Sequence, residues 1–153
     1  MLEHIDYGMQ TIEEIESELS RLVDKGVLEP EDLAEIDRKE ILEILNSPAI
    51  NYARQNKYYR EVEFAMQVKA SDIIDTKVDD EVFVQGAIDL LVAGEEVWIV
   101  DFKKTDERTD ILVDRYKTQL KLYSLAVEKA IGRKPDKAML LIIGRNEQIE
   151  IKL

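Results

Sequence analysis

The chain has 153 residues, of which 45% are hydrophobic and 35% charged, with three prolines and six glycines. This length and composition predict one domain with a buried core, and they exclude collagen-like and disordered chains. The absence of cysteine and the single histidine exclude disulfides, thiolate zinc sites and cysteine nucleophiles. Any metal site must therefore be built mainly from carboxylate oxygens, which suits Mg²⁺, Mn²⁺ or Ca²⁺ better than zinc.

Hydropathy and net charge limit where the protein is expected to reside and what it is expected to bind. The sequence has no apolar run near the roughly 18 residues of a membrane helix and no signal peptide after Met1, so we expect a soluble, cytoplasmic protein that contacts no membrane. The net charge of −12 argues against a free-standing nucleic-acid binder. The acidity lies in the first third, however, because residues 1–50 hold 14 acidic and 4 basic side chains, whereas residues 51–153 hold 19 and 17.

The N-terminal third is predicted to be helical. Apolar residues recur at three- and four-residue steps over residues 11–46, which predicts two amphipathic helices separated by Gly26. Pro30 and the two acids after it are typical of the first turn of the second helix. A short third helical stretch is predicted from Pro48 to Arg54.

From Tyr58 the pattern changes to strands. Residues 62–68 alternate between apolar and polar side chains, which predicts a half-exposed strand. Residues 82–92 and 97–102 are apolar on both faces, and the Ala93-Gly94-Glu95-Glu96 segment between them is typical of a turn. We therefore expect a buried hairpin at the centre of a sheet.

A longer helix and two more strands complete the chain. The helix is predicted over about residues 110–131, with Gly132 at its C-terminal end, and the strands over residues 138–144 and 148–153. This order predicts a single α/β domain over residues 1–153, with a helical part (1–56) followed by an α/β core (57–153).

Two acids interrupt the apolar hairpin. Asp89 lies within one predicted buried strand and Asp101 ends the next, where a carboxylate is costly unless cations or hydrogen bonds compensate it. If paired residue numbers sum to 189, Asp89 faces Val100, and if they sum to 190, it faces Asp101. The carboxylates are neighbours in either register, at a separation of about 5 Å when directly opposed.

Two adjacent carboxylates repel each other, and a divalent cation removes that repulsion. Lys103 lies two residues beyond Asp101 and thus on the same strand face. Two acids that hold a divalent cation beside a lysine are suited to phosphodiester hydrolysis. The alternative is an ordinary ion pair at the strand ends, in which Lys103 or Lys104 neutralises the acids.

The long helix carries a third set of polar groups. Gln119 and Tyr123 are four residues apart on one face, which also carries Tyr116, so they could present an amide and a phenol to a phosphate or a base. The alternative is that both tyrosines are core aromatics and that Gln119 is a boundary residue.

These motifs together resemble the PD-(D/E)XK nuclease superfamily, in its RecB-like branch. The resemblance is carried by Gly86-Ala87-Ile88-Asp89, Asp101-Phe102-Lys103 and Gln119-Leu120-Lys121-Leu122-Tyr123 in this order and spacing. Arg60-Glu61-Val62-Glu63-Phe64 and Leu2-Glu3-His4-Ile5-Asp6 are similar, more narrowly, to the C-terminal nuclease domain of AddA-type helicase-nuclease subunits.

The resemblance implies a restriction-endonuclease-like fold, with a mixed central sheet flanked by helices and an N-terminal helical segment. It also implies that Asp89, Asp101 and the Phe102 carbonyl bind Mg²⁺, with Mn²⁺ as a substitute, and that Lys103 is catalytic. The Gln119 and Tyr123 pair is expected beside the active site, where it positions the substrate.

In such an enzyme the chain is part of a larger helicase-nuclease. It is expected to act as a metal-dependent (exo)deoxyribonuclease in double-strand break repair and recombination. Its partners would be a helicase domain that delivers single-stranded DNA and a second nuclease subunit. If other parts of that assembly make most of the contacts with DNA, the net negative charge of this chain is explained.

The sequence also departs from the family pattern. The family's Gly-Thr-x-x-His motif aligns upstream of Met1, so we expect impaired activity in the isolated chain; His4 is a poor substitute for that histidine. Lys104 stands where the family often has threonine, and no role is transferred to Thr105. Glu61 is a candidate extra acid, although an ion pair with Arg60 is favoured.

Two other functions remain open. The same fold could serve as a non-catalytic docking or DNA-guiding module, but such modules usually lose the acids or the lysine. An acidic α/β protein-interaction domain would instead bind no DNA and would expose an apolar stripe on its first two helices, comprising Leu19, Leu22, Leu33 and Ile36.

Overall fold

The computed structural model describes residue 2 and residues 4–78, 80–145 and 147–153. Its elements in chain order are α1 (Ile12–Asp24), a 3-10 helix (Pro30–Ala34), α2 (Arg38–Leu45), α3 (Pro48–Gln55), β1 (Lys57–Lys69), α4 (Ala70–Ile73), β2 (Glu81–Ala93), β3 (Val97–Lys104), α5 (Thr109–Ile131), β4 (Lys137–Ile143) and β5 (Glu147–Glu150). The five strands form one sheet in chain order, with β3 at its centre.

The sheet is mixed. β1, β2 and β3 form an antiparallel meander, β3 and β4 are parallel, and β5 pairs antiparallel with β4. The parallel pair needs a crossover, which α5 supplies. Gly132 ends α5 with φ 71°, a left-handed conformation that favours glycine, as its position after the last apolar residue predicted.

Helices cover both faces of the sheet. α1, α2, α3 and the N-terminal segment bury one face around Leu45, Ile50, Leu90 and Val100, whereas α5 covers the other around Ile99 and other apolar side chains. The α/β architecture predicted from the sequence is therefore confirmed. No helix among the described residues is long and apolar enough to cross a lipid bilayer.

The prediction of one continuous second helix is wrong. Pro30–Ala34 forms a separate 3-10 helix, and the Asp37 carboxylate starts α2 by accepting hydrogen bonds from the backbone N–H groups of the next turn. The Arg38 guanidinium donates to the carbonyls of Leu33 and Ile36, which a continuous helix would have used internally. The apolar period continues through the break, so the pattern alone does not reveal it.

The exposed stripe that a protein-interaction domain required is absent from α1. Leu19 and Leu22 are 1% and 2% exposed. Leu19 belongs to the core on this face of the sheet, and the Thr11 and Glu14 capping box fixes the start of α1. Leu33 and Ile36 are half-buried against the same core, so the exposed stripe that this function predicts is not found at any of the four residues.

β2 is buried only in its second half, so the prediction of a fully buried strand is wrong for its first half. β2 pairs with β3 only over residues 90–93, and its earlier residues pair with β1 alone in a two-stranded arm. Val82 and Phe83 lie on this arm and are 38% and 64% exposed. The arm extends past β3, so apolar residues there have less to pack against.

Candidate active site

Asp89 lies where the β1 and β2 strands change face. Leu90 packs with α1, α2 and α3, whereas Ile88, only two residues earlier, packs with α5 on the opposite face. Regular strands keep residues i and i+2 on one face. On β1, Leu90 pairs with Arg60 and Ile88 pairs with Val62, and Glu61 lies between these two partners. Glu61 has φ 47° and thus a left-handed backbone conformation. Such a conformation costs a non-glycine residue about 1–2 kcal/mol.

The change of face brings the Asp89 carboxylate to β3. Its Oδ2 accepts a hydrogen bond of 2.8 Å from the backbone N–H of Phe102. The β2–β3 ladder has Leu90 opposite Val100, which is the second of the two predicted registers. Asp89 and Asp101 therefore follow the last ladder pair as neighbours on adjacent strands.

Asp101 is fully buried, with 0% exposure. Lys103 Nζ donates to Oδ1 over 3.1 Å and lies 2.9 Å from Oδ2. Oδ2 has no hydrogen-bond donor in good geometry among the described residues. Burial raises the pKa of Asp101 to about 6, the Lys103 ammonium opposes that rise, and the Asp89 charge adds to it.

The donor set at this position fits a hard divalent cation. The Asp101 Oδ2 atom is buried and lacks a hydrogen-bond donor within the described ranges, so it keeps the capacity to bind a cation. Asp89 contributes a second carboxylate, and all of these donors are oxygens, as Mg²⁺ or Mn²⁺ prefers. Among described residues, no three His, Cys, Asp or Glu side chains converge on one point. A backbone carbonyl such as that of Phe102 would thus have to complete the protein ligands.

We expect the raised pKa of Asp101 to make stability fall with rising pH. The folded protein holds the proton to about pH 6, whereas an unfolded aspartate releases it near its ordinary value of 3.8. The stabilisation is thus complete below pH 3.8 and is lost as the pH rises through 6. Relative to Asp101→Asn, the unfolding free energy of the wild type should fall by roughly 2 kcal/mol between pH 4 and pH 7. Urea unfolding in metal-free buffer measures it, and a pH-independent difference would contradict it.

Gln119 and Tyr123 lie on one face of α5, as their spacing predicted. Gln119 Nε2 donates to the Tyr123 hydroxyl over 2.7 Å. Tyr123 is 6% exposed, so it is also the core aromatic that the alternative interpretation described. Burial and, to a smaller extent, the Asp101 and Asp89 charges raise the pKa of Tyr123 to about 12. The phenol therefore lies within electrostatic range of both acids and stays protonated.

The sequence interpretation missed Phe64, which supports this tyrosine. Its ring meets the Tyr123 ring edge to face at 5.7 Å between centroids. On its other side a Cβ built on Gly86 would lie 3.0 Å from Phe64 Cζ, so the absence of a side chain at Gly86 makes room for the ring. Gly86 in the sequence motif could have indicated that another group packs closely against the backbone at this position. It could not have indicated that this group is the Phe64 ring.

We expect Gly86→Val to destabilise the protein by about 1–3 kcal/mol, because the added methyl groups displace the Phe64 ring and loosen its contact with Tyr123. Urea unfolding measures the change. Ala65→Val adds the same kind of side-chain bulk at an exposed position of β1 and should be close to neutral. Equal stabilities of the two variants would show that the ring has room to move.

The N-terminal segment was also missed as a neighbour of the site. The Arg60 guanidinium lies 4.5 Å from the Tyr7 ring centroid and donates to the Ile5 carbonyl over 2.7 Å. Burial raises the pKa of Tyr7, and the charges of Asp89 and Glu61 contribute to that rise. Tyr7 thus lies near the acids, whereas His4 is exposed. No local periodicity in the sequence predicts such a long-range contact.

The sequence of this chain matches the family model of the PD-(D/E)XK nuclease superfamily over residues 2–151. The chain therefore belongs to the PD-(D/E)XK nuclease superfamily, and its mixed five-stranded sheet with helices is consistent with a restriction-endonuclease-like fold. The resemblance recognised from the three motifs is confirmed.

Curated proteins with similar sequences share one name. An ATP-dependent helicase/nuclease subunit from Carboxydothermus hydrogenoformans is 32% identical over 98% of this chain and 14% of the relative. Proteins of the same name from Ligilactobacillus salivarius and Bacillus cytotoxicus are 31% and 28% identical, over 91% and 99% of this chain. The chain spans 12–14% of the length of these curated relatives.

A solved structure, that of SSO0001, superimposes on 87% of this chain and 60% of its own, with a TM-score of 0.44 and 14% identity. A likeness at this level carries no weight in the assignment. The family model and the helicase/nuclease relatives carry it instead.

Proposed function

We propose that this chain is a Mg²⁺-dependent nuclease domain that hydrolyses phosphodiester bonds of single-stranded DNA. The observation that carries the proposal is the pair of neighbouring carboxylates, Asp89 and buried Asp101, with the Lys103 ammonium 2.9 Å from one oxygen. Membership of a nuclease superfamily supports it. An ion pair built only for structure gains little from a second, neighbouring acid.

In this proposal Asp89, Asp101 and the Phe102 carbonyl hold the cation. Mn²⁺ would serve in place of Mg²⁺, because both prefer oxygen ligands. When bound, the cation polarises the scissile phosphate and lowers the pKa of a water molecule. The hydrogen bond from the Phe102 N–H fixes the Asp89 carboxylate, and the buried strand end fixes that of Asp101, so neither ligand needs to reorganise.

The remaining polar groups act on the DNA and the attacking water. The Lys103 ammonium orients the water or stabilises negative charge on the phosphate. The Gln119 amide and the Tyr123 hydroxyl, which hydrogen bond to each other, position the substrate beside the acids. The Lys103 side chain is 23% exposed, so it lies at the border between the buried acids and solvent.

We further propose that the chain works within a larger helicase-nuclease during double-strand break repair and recombination. The support is the set of relatives named as ATP-dependent helicase/nuclease subunits, of which this chain spans 12–14%. A helicase domain would deliver the single strand, a second nuclease subunit would cut the other, and the assembly would act in the cytoplasm. The net charge of −12 fits a domain to which DNA is delivered by a neighbour.

Metal binding and cleavage test this proposal together. Calorimetry with Mn²⁺ should show binding to the wild type and at least about tenfold weaker binding to Asp89→Ala and Asp101→Ala, since each substitution removes one ligand. Glu63→Ala, an exposed acid on the same arm, is the matched control and should bind as the wild type does. End-labelled single-stranded DNA should be cut only with Mg²⁺ or Mn²⁺.

Each outcome discriminates between functions. Unchanged Mn²⁺ affinity in both aspartate variants would refute the assigned site. Mn²⁺ and DNA binding without cleavage, when the domain is tested within the larger helicase-nuclease, would favour the non-catalytic docking or guiding module instead.

A further inference from the structure

Lys103 lies between two partners of different kinds. On one side its Nζ is 2.9 Å from Asp101 Oδ2, and on the other it lies 4.8 Å from the centroid of the Tyr116 ring. Tyr116 is on α5, three residues before Gln119, and packs half-buried against the α5 side of the core. The lysine is therefore in contact with both an acid and an aromatic face.

These partners respond differently to a divalent cation. A cation bound by Asp101 competes with the ammonium for the same carboxylate, and the two positive charges repel each other. The aromatic ring is neutral, so it attracts the ammonium without competing for the metal. Without another attractive contact, a long and partly exposed lysine side chain would move into solvent once the carboxylate is occupied.

We propose that Tyr116 is a positioning residue whose ring keeps the Lys103 ammonium beside the two acids when a divalent cation occupies Asp101. The inference rests on the proposed nuclease function and assigns a part that the Gln119 and Tyr123 motif does not include. Tyr116 acts through Lys103 and need not touch the DNA. Its hydroxyl has no hydrogen bond among the described residues, so the ring itself is what the role requires.

NMR spectroscopy of the Lys103 ε-methylene protons tests the contact directly. These signals, assigned by their loss in Lys103→Met, should lie upfield of those of exposed lysines because of the ring current, in metal-free protein and with Ca²⁺. Tyr116→Phe should retain the upfield shift, and Tyr116→Leu should lose it. A Lys103 signal at the same position in Tyr116→Leu and the wild type would overturn the inference.

Kinetics with Mg²⁺ and single-stranded DNA give the second measurement. Tyr116→Leu should lower kcat about tenfold and leave KM within about twofold, whereas Tyr116→Phe should stay within about twofold of the wild type in both. Equal loss of kcat in the two variants, or a rise in KM alone, would overturn the inference. Tyr59→Leu removes an exposed tyrosine that lies 5.2 Å from Lys57 Nζ, and it should leave both constants unchanged.

Two controls separate the possible failures. Thermal unfolding of Tyr116→Leu should show a cooperative transition, since leucine keeps the position apolar. Absence of binding of both Mg²⁺ and Ca²⁺ to the wild type would contradict the nuclease proposal and this inference together. Ca²⁺ binding without an upfield Lys103 signal would contradict the inference alone.

Discussion

Replacing Asp101 by asparagine should reduce DNA cleavage at least about a thousandfold and leave the protein at least as stable as the wild type at pH 7. The loss of activity follows from removing a charged ligand, since a bound metal contributes several kcal/mol to the transition state. The gain or retention of stability follows from the 0% exposure of Asp101 and its raised pKa, which mark a charge that folding forces out of water.

This combination separates a functional acid from a structural one. If Asp101 served only as the partner of Lys103 in a stabilising ion pair, asparagine would lower the unfolding free energy. Asp110→Asn is the matched control, because that acid pairs with Arg108 on the surface at 3.0 Å with 65% exposure. It should leave both cleavage and stability unchanged. Cleavage by Asp101→Asn above a tenth of the wild-type rate would contradict the assignment.

The sequence predicted that Asp89 and Asp101 are neighbours, but it did not predict the conformation around them. A carboxylate within an apolar strand is expensive, so Asp89 and Asp101 stand out in the sequence, and the short turn between their strands limits the register to two choices. The structure has the register in which their numbers sum to 190. Burial pattern and turn length were enough because both are local properties.

The conformation around the acids could not be predicted in the same way. The left-handed backbone of Glu61 and the change of face between Ile88 and Leu90 have no signature, because neither strand carries a glycine or a proline at that point. The contact of Arg60 with Tyr7 joins residues more than fifty positions apart. Such features depend on packing against elements whose placement periodicity does not give.

The same distinction explains the two errors in the fold. The apolar period runs through Leu33 and Ile36, but Arg38 donates hydrogen bonds to their carbonyls and the helix is interrupted there. The apolar pattern of β2 predicts that Phe83 is buried. It is exposed instead, because it lies on an arm that extends past β3. The first error therefore involves a local contact between a side chain and the backbone, and the second reflects the lack of a packing neighbour for the arm.

Replacing Lys103 by methionine should uncouple metal binding from catalysis. The ammonium lies 2.9 Å from Asp101 Oδ2, where it competes with a divalent ion. Its removal should therefore strengthen Mn²⁺ binding about tenfold, because an electrostatic competitor is lost, and should reduce cleavage at least about a thousandfold. A decrease in Mn²⁺ affinity would contradict this arrangement of charges.

Stability should change in a metal-dependent way in the same variant. Without metal at pH 8, Lys103→Met leaves the buried Asp101 carboxylate without its counter-charge and should lower the unfolding free energy by about 3 kcal/mol. Added Mn²⁺ should restore it, because the metal replaces the missing positive charge. Lys104→Met is the control, since that lysine is 70% exposed and pairs with Glu40 at the surface. Its affinity, cleavage and stability should match the wild type, so an equal loss in both variants would trace the effect to general charge rather than to the contact with Asp101.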